Sequence, residues 1–270
     1  MTLLKQLLED LKRSPLMHSS TINLIEREYL PKEQENERHS DRKHRLKIWH
    51  ISDTHTFHGL LSVPEGIDMV IFSGDCSNPR GVYENREQVL NFIEWMKSLD
   101  VKYKIFVAGN HDTSIERNLI TQGDFLEAGI TYLENDWVEI EGLKIFGSPQ
   151  TPTFGDWSFM KQRNKMHDHW KNVPDDIDIF VTHGPPKGIL DLSFDRQHNL
   201  ERCGDSALLT RCLAIKPKLV CFGHIHNCED IINAGTKVLS AYPEITFSNG
   251  SVVTDGKFGR LSSNGNIFNI

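Results

Sequence analysis

The chain has 270 residues, 38% of them hydrophobic, and 30 basic against 37 acidic side chains give a formal net charge of −7. This composition suits a soluble globular protein with one large domain or two small ones. The negative charge excludes a global electrostatic attraction to a nucleic-acid backbone or an anionic membrane, although a local basic patch is compatible with it.

The cysteines and the N-terminal residues predict the compartment. Five cysteines are an odd number without the density of a disulfide framework, and this indicates a reducing environment. The first 20 residues contain neither a continuous apolar core nor a small-residue cleavage site. We therefore expect a cytoplasmic protein without a signal peptide or a membrane span.

An N-terminal arm precedes the main domain. Leucines at helical spacing form one apolar stripe over residues 1–13, namely Leu3, Leu4, Leu7, Leu8 and Leu11. Residues 31–45 are almost wholly polar and charged, which is typical of a linker. The boundaries are therefore an arm over residues 1–45 and a domain over 46–270. The stripe is expected to pack on its own domain, with a homo-oligomer or another partner contact as the alternatives.

From residue 46 the sequence consists of short apolar runs that end in polar residues. Residues 46–51, 69–72 and 103–108 are predicted strands, and residues 84–99 between the second and third follow helical spacing. This strand–helix–strand order predicts a largely parallel sheet with right-handed crossovers.

The second half of the chain mixes hairpins, strands and a helix. Residues 137–140 and 143–146 flank Glu141-Gly142 and predict a hairpin. Residues 177–182 and 219–222 predict strands, and 203–215 predict a helix that stops at Lys216-Pro217. The tail, with 237–239, 251–253 and 267–270 between turn residues, is expected to form a small antiparallel portion.

Five of the predicted strands end in side chains that can bind a metal ion or move a proton. In chain order these are Asp53, His55, Asp75, Asn110, His111, Asp112, His183, His224 and His226. Ligands bind at the carboxyl ends of strands in open α/β sheets, so we expect these groups to converge. Oxygen and imidazole donors without a thiolate suit one or two divalent ions, and the imidazoles favour manganese, iron, zinc or cobalt over magnesium or calcium.

These motifs resemble a known family. Their order and spacing are similar to those of the calcineurin-like metallophosphoesterases, on the residues Asp53-x-His55, Gly74-Asp75, Gly109-Asn110-His111-Asp112, His183 and Gly223-His224-x-His226. Further segments resemble the metallophosphoesterase-domain-containing branch, whose members include phosphodiesterases acting on nucleotides and cyclic nucleotides; they are Phe146-Gly147-Ser148-Pro149, Trp157-x-Phe159, Thr182-His183-Gly184-Pro185-Pro186 and Phe222-Gly223-His224-Ile225-His226. The resemblance implies an α/β fold, a two-sheet mixed β-sandwich flanked by helices in four αββα layers, with the site at the carboxyl ends of the strands.

The resemblance also implies two divalent metal ions, manganese first and iron, zinc or cobalt as alternatives. One ion would be held by Asp53, His55 and His226, the other by Asn110, His183 and His224, and Asp75 would bridge them. A metal-bridging hydroxide would attack phosphorus in line with the leaving oxygen. His111 would contact the substrate and protonate the leaving group, and Asp112 would orient its imidazole.

Several candidate residues have an ordinary alternative. Asp112 could instead cap the helix after Thr113. His58 could reach the substrate, but an exposed loop histidine is the alternative. Asn110 and Arg163 are further candidate substrate contacts, although a solvated helix face is the more common role for a segment like the one that contains Arg163. Trp157 and Phe159 could stack on a nucleobase or pack in the core.

The sequence therefore predicts an enzyme, a metal-dependent phosphodiesterase acting on a small phosphodiester, with nucleotides or cyclic nucleotides favoured. The alternatives are a nuclease or a phosphomonoesterase of the same fold, or a metal-binding scaffold without turnover. The net charge argues against long nucleic acid as the partner. A serine/threonine phosphatase ranks low because residues 74–81 lack the inner aspartate of that motif.

Overall fold

The structure is a computed structural model that describes residues 45–270 except 79, 80, 196, 229 and 256–258. The predicted leucine stripe, the charged linker and any oligomer contact through the arm lie outside the described residues and stay predictions. Leu46–Ile270 form one unit. Across the described part of the chain, no helix has both the length and the apolar character needed to cross a bilayer.

Short strands alternate with helices along this unit. The strands are β1 (Lys47–Ile51), β2 (Met69–Ser73), β3 (Tyr103–Val107), β4 (Thr131–Tyr132), β5 (Asp136–Ile140), β6 (Leu143–Ser148), β7 (Thr151–Pro152), β8 (Met160–Lys161), β9 (Ile179–Thr182), β10 (Leu192–Phe194), β11 (Leu200–Arg202), β12 (Leu219–Phe222), β13 (Gly235–Leu239), β14 (Tyr242–Asn249) and β15 (Asn266–Asn269). The helices are α1 (Val82–Ser98), α2 (Thr113–Glu116), α3 (Gln122–Glu127), α4 (Met166–Trp170) and α5 (Ser206–Ile215), and Phe57–Leu60 and Arg163–Lys165 form 3₁₀ turns.

Two mixed sheets organise the described residues. The first has the order β15-β1-β2-β3-β4, with β1 to β4 parallel and β15 antiparallel to β1. The second has the order β13-β14-β12-β9-β6-β5, with parallel central strands and antiparallel strands at both edges. The parallel strands direct their carboxyl ends to one edge of each sheet, where the loops that carry the polar motifs begin.

Three apolar clusters separate four layers. The two sheets face each other across a buried cluster that includes Ile48, Ile71 and Val181. Because side chains alternate along a strand, the neighbouring Trp49 and Phe72 point to the other face and pack with α1 in a second cluster. The outer face of the second sheet packs with α4 and α5 in a third. This helix–sheet–sheet–helix order confirms the predicted fold class.

Seven strands lie close to their predicted positions, namely β1, β2, β3, β5, β6, β9 and β12, whereas the short strands β4, β7, β8, β10 and β11 were not predicted. The helix between the second and third strands and the hairpin of β5 and β6 are confirmed. Helix α5 begins at Ser206, three residues later than predicted. Asp205 caps it, because its carboxylate accepts a hydrogen bond from the backbone N–H of Ala207, and the preceding residues 200–202 form β11.

The predicted arrangement of the tail is wrong. Its strands belong to different sheets, since β13 pairs with β14 in the second sheet and β15 pairs with β1 in the first. The long strand β14 was not predicted, and it lies parallel to β12. Residues 251–253 form only isolated bridges, from Ser251 to Ser52 and from Val253 to Leu261. The last strand thus returns to the first, and this long-range pairing leaves no local sequence pattern.

Candidate metal centre

The loops after β1 and β12 form the first cluster of possible ligands. Asp53, His55 and His226 each place one ligand atom within 4.8 Å of the others. His226 Nε2 lies 3.0 Å from Asp53 Oδ1 and 3.4 Å from His55 Nε2. Donor atoms from two segments 171 residues apart therefore meet at one point.

The loops after β2, β3, β9 and β12 form the second cluster. Asp75, His183 and His224 also place ligand atoms within 4.8 Å of one another. His183 Nε2 lies 2.9 Å from Asn110 Oδ1 and 3.3 Å from Asp75 Oδ2, so the Asn110 amide oxygen belongs to the same cluster. The Asp75 carboxylate also lies 3.9 Å from His55 Nε2, and it therefore stands between the two clusters.

Three of the imidazoles have their second nitrogen fixed by a hydrogen-bond acceptor. Nδ1 of His55 lies 3.1 Å from the Ser77 carbonyl, and Nδ1 of His183 lies 2.9 Å from the Ser73 carbonyl. Nδ1 of His226 lies 2.8 Å from Asp255 Oδ1. These acceptors hold a proton on Nδ1, so Nε2 is the nitrogen of each ring that faces its cluster, as in metal-binding histidines.

Two buried carboxylates dominate the electrostatics of the site. Burial alone would raise the pKa of Asp53 and of Asp75, but the charges of His226 and His183 respectively outweigh it and hold both pKa values low. Burial likewise opposes protonation of His183 and His226, yet the neighbouring carboxylates raise their pKa values to about 9 and about 10. The two aspartates therefore require positive charge beside them.

Several of the cluster residues adopt a backbone conformation that side chains normally avoid. The φ angles of Asp53, His55, Asp75 and His224 are 51°, 42°, 60° and 68°, all in the left-handed region. A non-glycine residue there costs on the order of 1–3 kcal/mol, and such strain persists where the surrounding structure enforces it, often at functional sites. This backbone strain is therefore the local energetic cost of directing these side chains into the clusters.

Glycines give the ligands room. A side-chain carbon at Gly109 would overlap Asp75 Oδ1 and lie 2.7 Å from His183 Cε1. At Gly223 it would overlap Asp53 Oδ2, and at Gly74 it would overlap His183 Nδ1. The three glycines are therefore required by the close approach of the clustered side chains.

The predicted role of Asp112 as the partner of the His111 imidazole is wrong in this structure. The Asp112 carboxylate is fully buried and accepts hydrogen bonds from the loop after β2 and from Gly109. The donors are the backbone N–H groups of Asp75, Cys76, Ser77 and Gly109, the Ser77 hydroxyl and the Cys76 thiol. It does not cap α2 through its side chain either. Asp112 instead ties together the loops that carry Asp75 and Asn110.

His111 is held by other groups. Its Nδ1 lies 3.1 Å from the Asn78 carbonyl, and its ring lies 4.3 Å from the Trp157 ring and 4.9 Å from the His55 ring. His111 also forms a third grouping of possible ligand atoms with His55 and Asp75. It therefore lies at the mouth of the site, close enough to act on a group bound between the clusters.

The structure places His58 in the core, and so both expectations for it are wrong. The side chain is buried, its Nε2 lies 2.9 Å from Asn91 Oδ1, and its ring packs against Phe92 and Trp95 of α1. It does not face the metal clusters. Phe159 is likewise buried in the core and is not available to a ligand.

A cavity of about 400 Å³ opens over the clusters. Asp75, Asn110, His111, His224 and His226 lie on its surface, and its walls include Phe154, Trp157, Arg163, Pro185, Glu201, Arg202 and Asp255. Arg163 donates a hydrogen bond to the Gly204 carbonyl at 3.2 Å, which fixes its guanidinium at the wall. Phe154, Arg202 and Asp255 are wall residues that the sequence analysis missed. For Asp255 the sequence predicted only a turn, because Asp255 is followed by Gly256.

The donor set fits divalent metal ions. Each cluster combines imidazole nitrogens with carboxylate or amide oxygens, all brought within coordination reach by separate loops. The buried aspartates are stabilised by positive charge beside them. Gly74, Gly109 and Gly223 lie so close to the clustered side chains that no larger residue fits at these three positions. This combination suits manganese, iron, zinc or cobalt.

Comparisons with known proteins agree with this site. The family described as calcineurin-like phosphoesterase matches residues 46–228. A UPF0046 protein of Caenorhabditis elegans is 32% identical over 233 residues, 82% of this chain and 76% of that protein. Metallophosphoesterase domain-containing protein 1 of Homo sapiens is 31% identical over 228 residues, 76% of this chain and 65% of that protein. A crystal structure with 15% identity and a TM-score of 0.51 covers 76% of this chain and 90% of its own, which shows a shared fold.

We predict that Gly109→Ala displaces Asp75, because the added methyl group would overlap its carboxylate. Metal affinity should fall at least about tenfold, since both clusters use Asp75. Isothermal titration with Mn²⁺ measures this, and Gly59→Ala is the matched control because nothing lies within 4 Å of its added carbon. Full metal affinity in Gly109→Ala would contradict the close packing described above.

We predict that Asp112→Ala destabilises the protein by about 3 kcal/mol or more, because it leaves several buried N–H donors without an acceptor. Urea unfolding measures the change. Asp100→Ala removes an exposed carboxylate and should stay within about 0.5 kcal/mol of the wild type. A wild-type unfolding midpoint for Asp112→Ala would show that the carboxylate does not organise the loops.

Proposed function

The chain belongs to the calcineurin-like phosphoesterase family and is a metal-dependent phosphoesterase, and we propose that it hydrolyses small phosphodiesters at a centre of two divalent ions. Nucleotides or cyclic nucleotides are the proposed substrates, and manganese is the proposed metal. The observation that carries the proposal is the convergence of two ligand clusters around Asp75. The five cysteines, none of them in a disulfide, support a reducing, cytoplasmic location.

The proposed ligands divide between two positions. Asp53, His55 and His226 would hold one ion, and Asn110, His183 and His224 the other. Asp75 would bridge the two, because cations about 3.5–4 Å apart repel each other and need an anionic ligand between them. Divalent ions held there would supply a water of lowered pKa and would polarise the phosphoryl oxygens.

His111 is the proposed proton donor. Because its Nδ1 is bound to the Asn78 carbonyl, Nε2 is the nitrogen left to exchange a proton with the leaving oxygen. The rings of Trp157 and His55 restrict the orientation of the imidazole. A diester needs such a donor more than an activated ester does, since its leaving group is an alkoxide.

The cavity walls support a nucleotide-sized substrate. Phe154 lies 5.1 Å from the His224 ring, and Trp157 lies beside His111, so aromatic surfaces stand on the rim of the cavity. Aromatic rings of this kind stack on nucleobases. Arg163, held at the wall by Gly204, offers its remaining N–H groups to an anionic part of the substrate.

A substrate panel tests the proposed function. The manganese-supplemented protein is assayed with a generic diester, a generic monoester, 2′,3′- and 3′,5′-cyclic nucleotides and single-stranded nucleic acid. We expect turnover of diesters, with a cyclic nucleotide preferred. A preference for the monoester or for nucleic acid would contradict the substrate class. Metal binding without any turnover would favour a scaffold.

We predict that His111→Ala lowers kcat by about 10²–10⁴-fold, which is the usual contribution of a general acid. The metal content should remain at two ions per chain, because His111 is not a proposed ligand. Steady-state kinetics and elemental analysis of the same sample measure both, and His167→Ala, an exposed histidine, is the control. Unchanged turnover would contradict the acid role, and loss of an ion would make His111 a ligand.

A further inference from the structure

The proposed ligand histidines differ in what holds their outer nitrogen. His55 and His183 use backbone carbonyl groups, whereas His226 Nδ1 lies 2.8 Å from the carboxylate of Asp255. On its other side, His226 Nε2 lies 3.0 Å from Asp53 Oδ1. A carboxylate–imidazole pair thus points directly at the first cluster. Among the described residues, His226 is the cluster histidine whose Nδ1 lies against a side-chain carboxylate, and this carboxylate can be removed by mutation.

Asp255 is held in place by the loop that carries His226. Its backbone N–H donates to the Asn227 carbonyl at 2.9 Å, and Thr254 forms an isolated bridge with Asn227. The two segments are therefore in register immediately beside the histidine. The Asp255 side chain is half exposed and lies on the cavity wall, while the His226 side chain is mostly buried beneath it.

We propose that Asp255 is a positioning residue: it accepts the Nδ1–H of His226 and so directs the Nε2 lone pair into the cluster of Asp53 and His55. This inference rests on the proposed function of that cluster as a metal position. A carboxylate acceptor fixes the tautomer and the ring orientation and makes the imidazole a better donor to a metal ion. In the second cluster, the outer nitrogen of His183 is held by the backbone carbonyl group of Ser73.

The consequence is an asymmetry between the two metal positions. Removing the Asp255 carboxylate frees the His226 ring to rotate and lets its proton move to Nε2, where it would block coordination. The position formed by Asp53, His55 and His226 weakens, and the position formed by Asn110, His183 and His224 does not. A general loss of negative charge from the cavity would weaken both, so the two explanations differ in a measurable way.

The test measures Mn²⁺ binding to the full chain by isothermal titration, with bound ions counted from the loss of the free Mn²⁺ signal in EPR. For Asp255→Ala we expect one ion to bind about 10–100-fold more weakly and the other to stay within about threefold of the wild type. Asp255→Asn keeps a hydrogen-bond acceptor and should recover most of this loss. Glu201→Ala removes another wall carboxylate, one that lies outside the groupings of possible ligand atoms, and its metal affinities should match the wild type.

Turnover gives a second readout. In Asp255→Ala, kcat at low Mn²⁺ should fall while KM for the substrate stays within about twofold, and excess Mn²⁺ should restore kcat. Wild-type affinity for both ions in Asp255→Ala would overturn the inference and leave the proposed function standing, and so would equal weakening in Asp255→Ala and Glu201→Ala. A wild-type protein that binds no divalent ion would overturn the proposed function itself, and this inference with it.

Discussion

The burial of two carboxylates, Asp53 and Asp75, is the constraint on which the rest of the site depends. Each is at most 2% exposed, so neither is stabilised by water. Asp53 Oδ2 accepts hydrogen bonds from the backbone N–H of His224 and the hydroxyl of Ser251, and Asp75 Oδ1 accepts one from the backbone N–H of His111. These bonds satisfy part of each carboxylate but do not neutralise it. The negative charge that remains raises the pKa values of His183 and His226. The same buried charge favours a cation bound between these side chains.

The fold meets this constraint by bringing loops from both sheets to one edge. Parallel strands deliver the ligand segments, and strain at left-handed residues together with glycines such as Gly109 and Gly223 lets the side chains approach closely. Asp112 then fixes the loops after β2 and β3 to each other, although it touches neither the imidazole of His111 nor the cavity. One set of side chains therefore forms the clusters. A second set, which includes the buried Asp112 and the wall residue Asp255, holds the first set in its orientation.

The parts of the molecule that the sequence predicted are those with a local signal. An apolar run that stops at a polar residue marks a strand and its loop, and this pattern located Asp53, Asp75 and His183 correctly at strand ends that converge. Features that depend on distant contacts were not predictable in the same way. The partners of Asp112 lie 35–37 residues away, except Gly109 in its own loop, and the partner of His58 lies 33 residues away, so neither role can be recognised from neighbouring residues. The pairing of β15 with β1, between the two ends of the domain, is invisible to local pattern for the same reason.

Asp75, which lies near His55 and His183, is the residue proposed to be a ligand to both divalent ions. EPR of the protein during a Mn²⁺ titration tests this proposal most directly, because two ions sharing a ligand are magnetically coupled. If Asp75 is shared, two Mn²⁺ ions bind per chain and, at full loading, give the spectrum of an exchange-coupled pair, which Asp75→Ala abolishes. A single bound ion, or two ions that keep the spectrum of isolated Mn²⁺, would contradict the proposal.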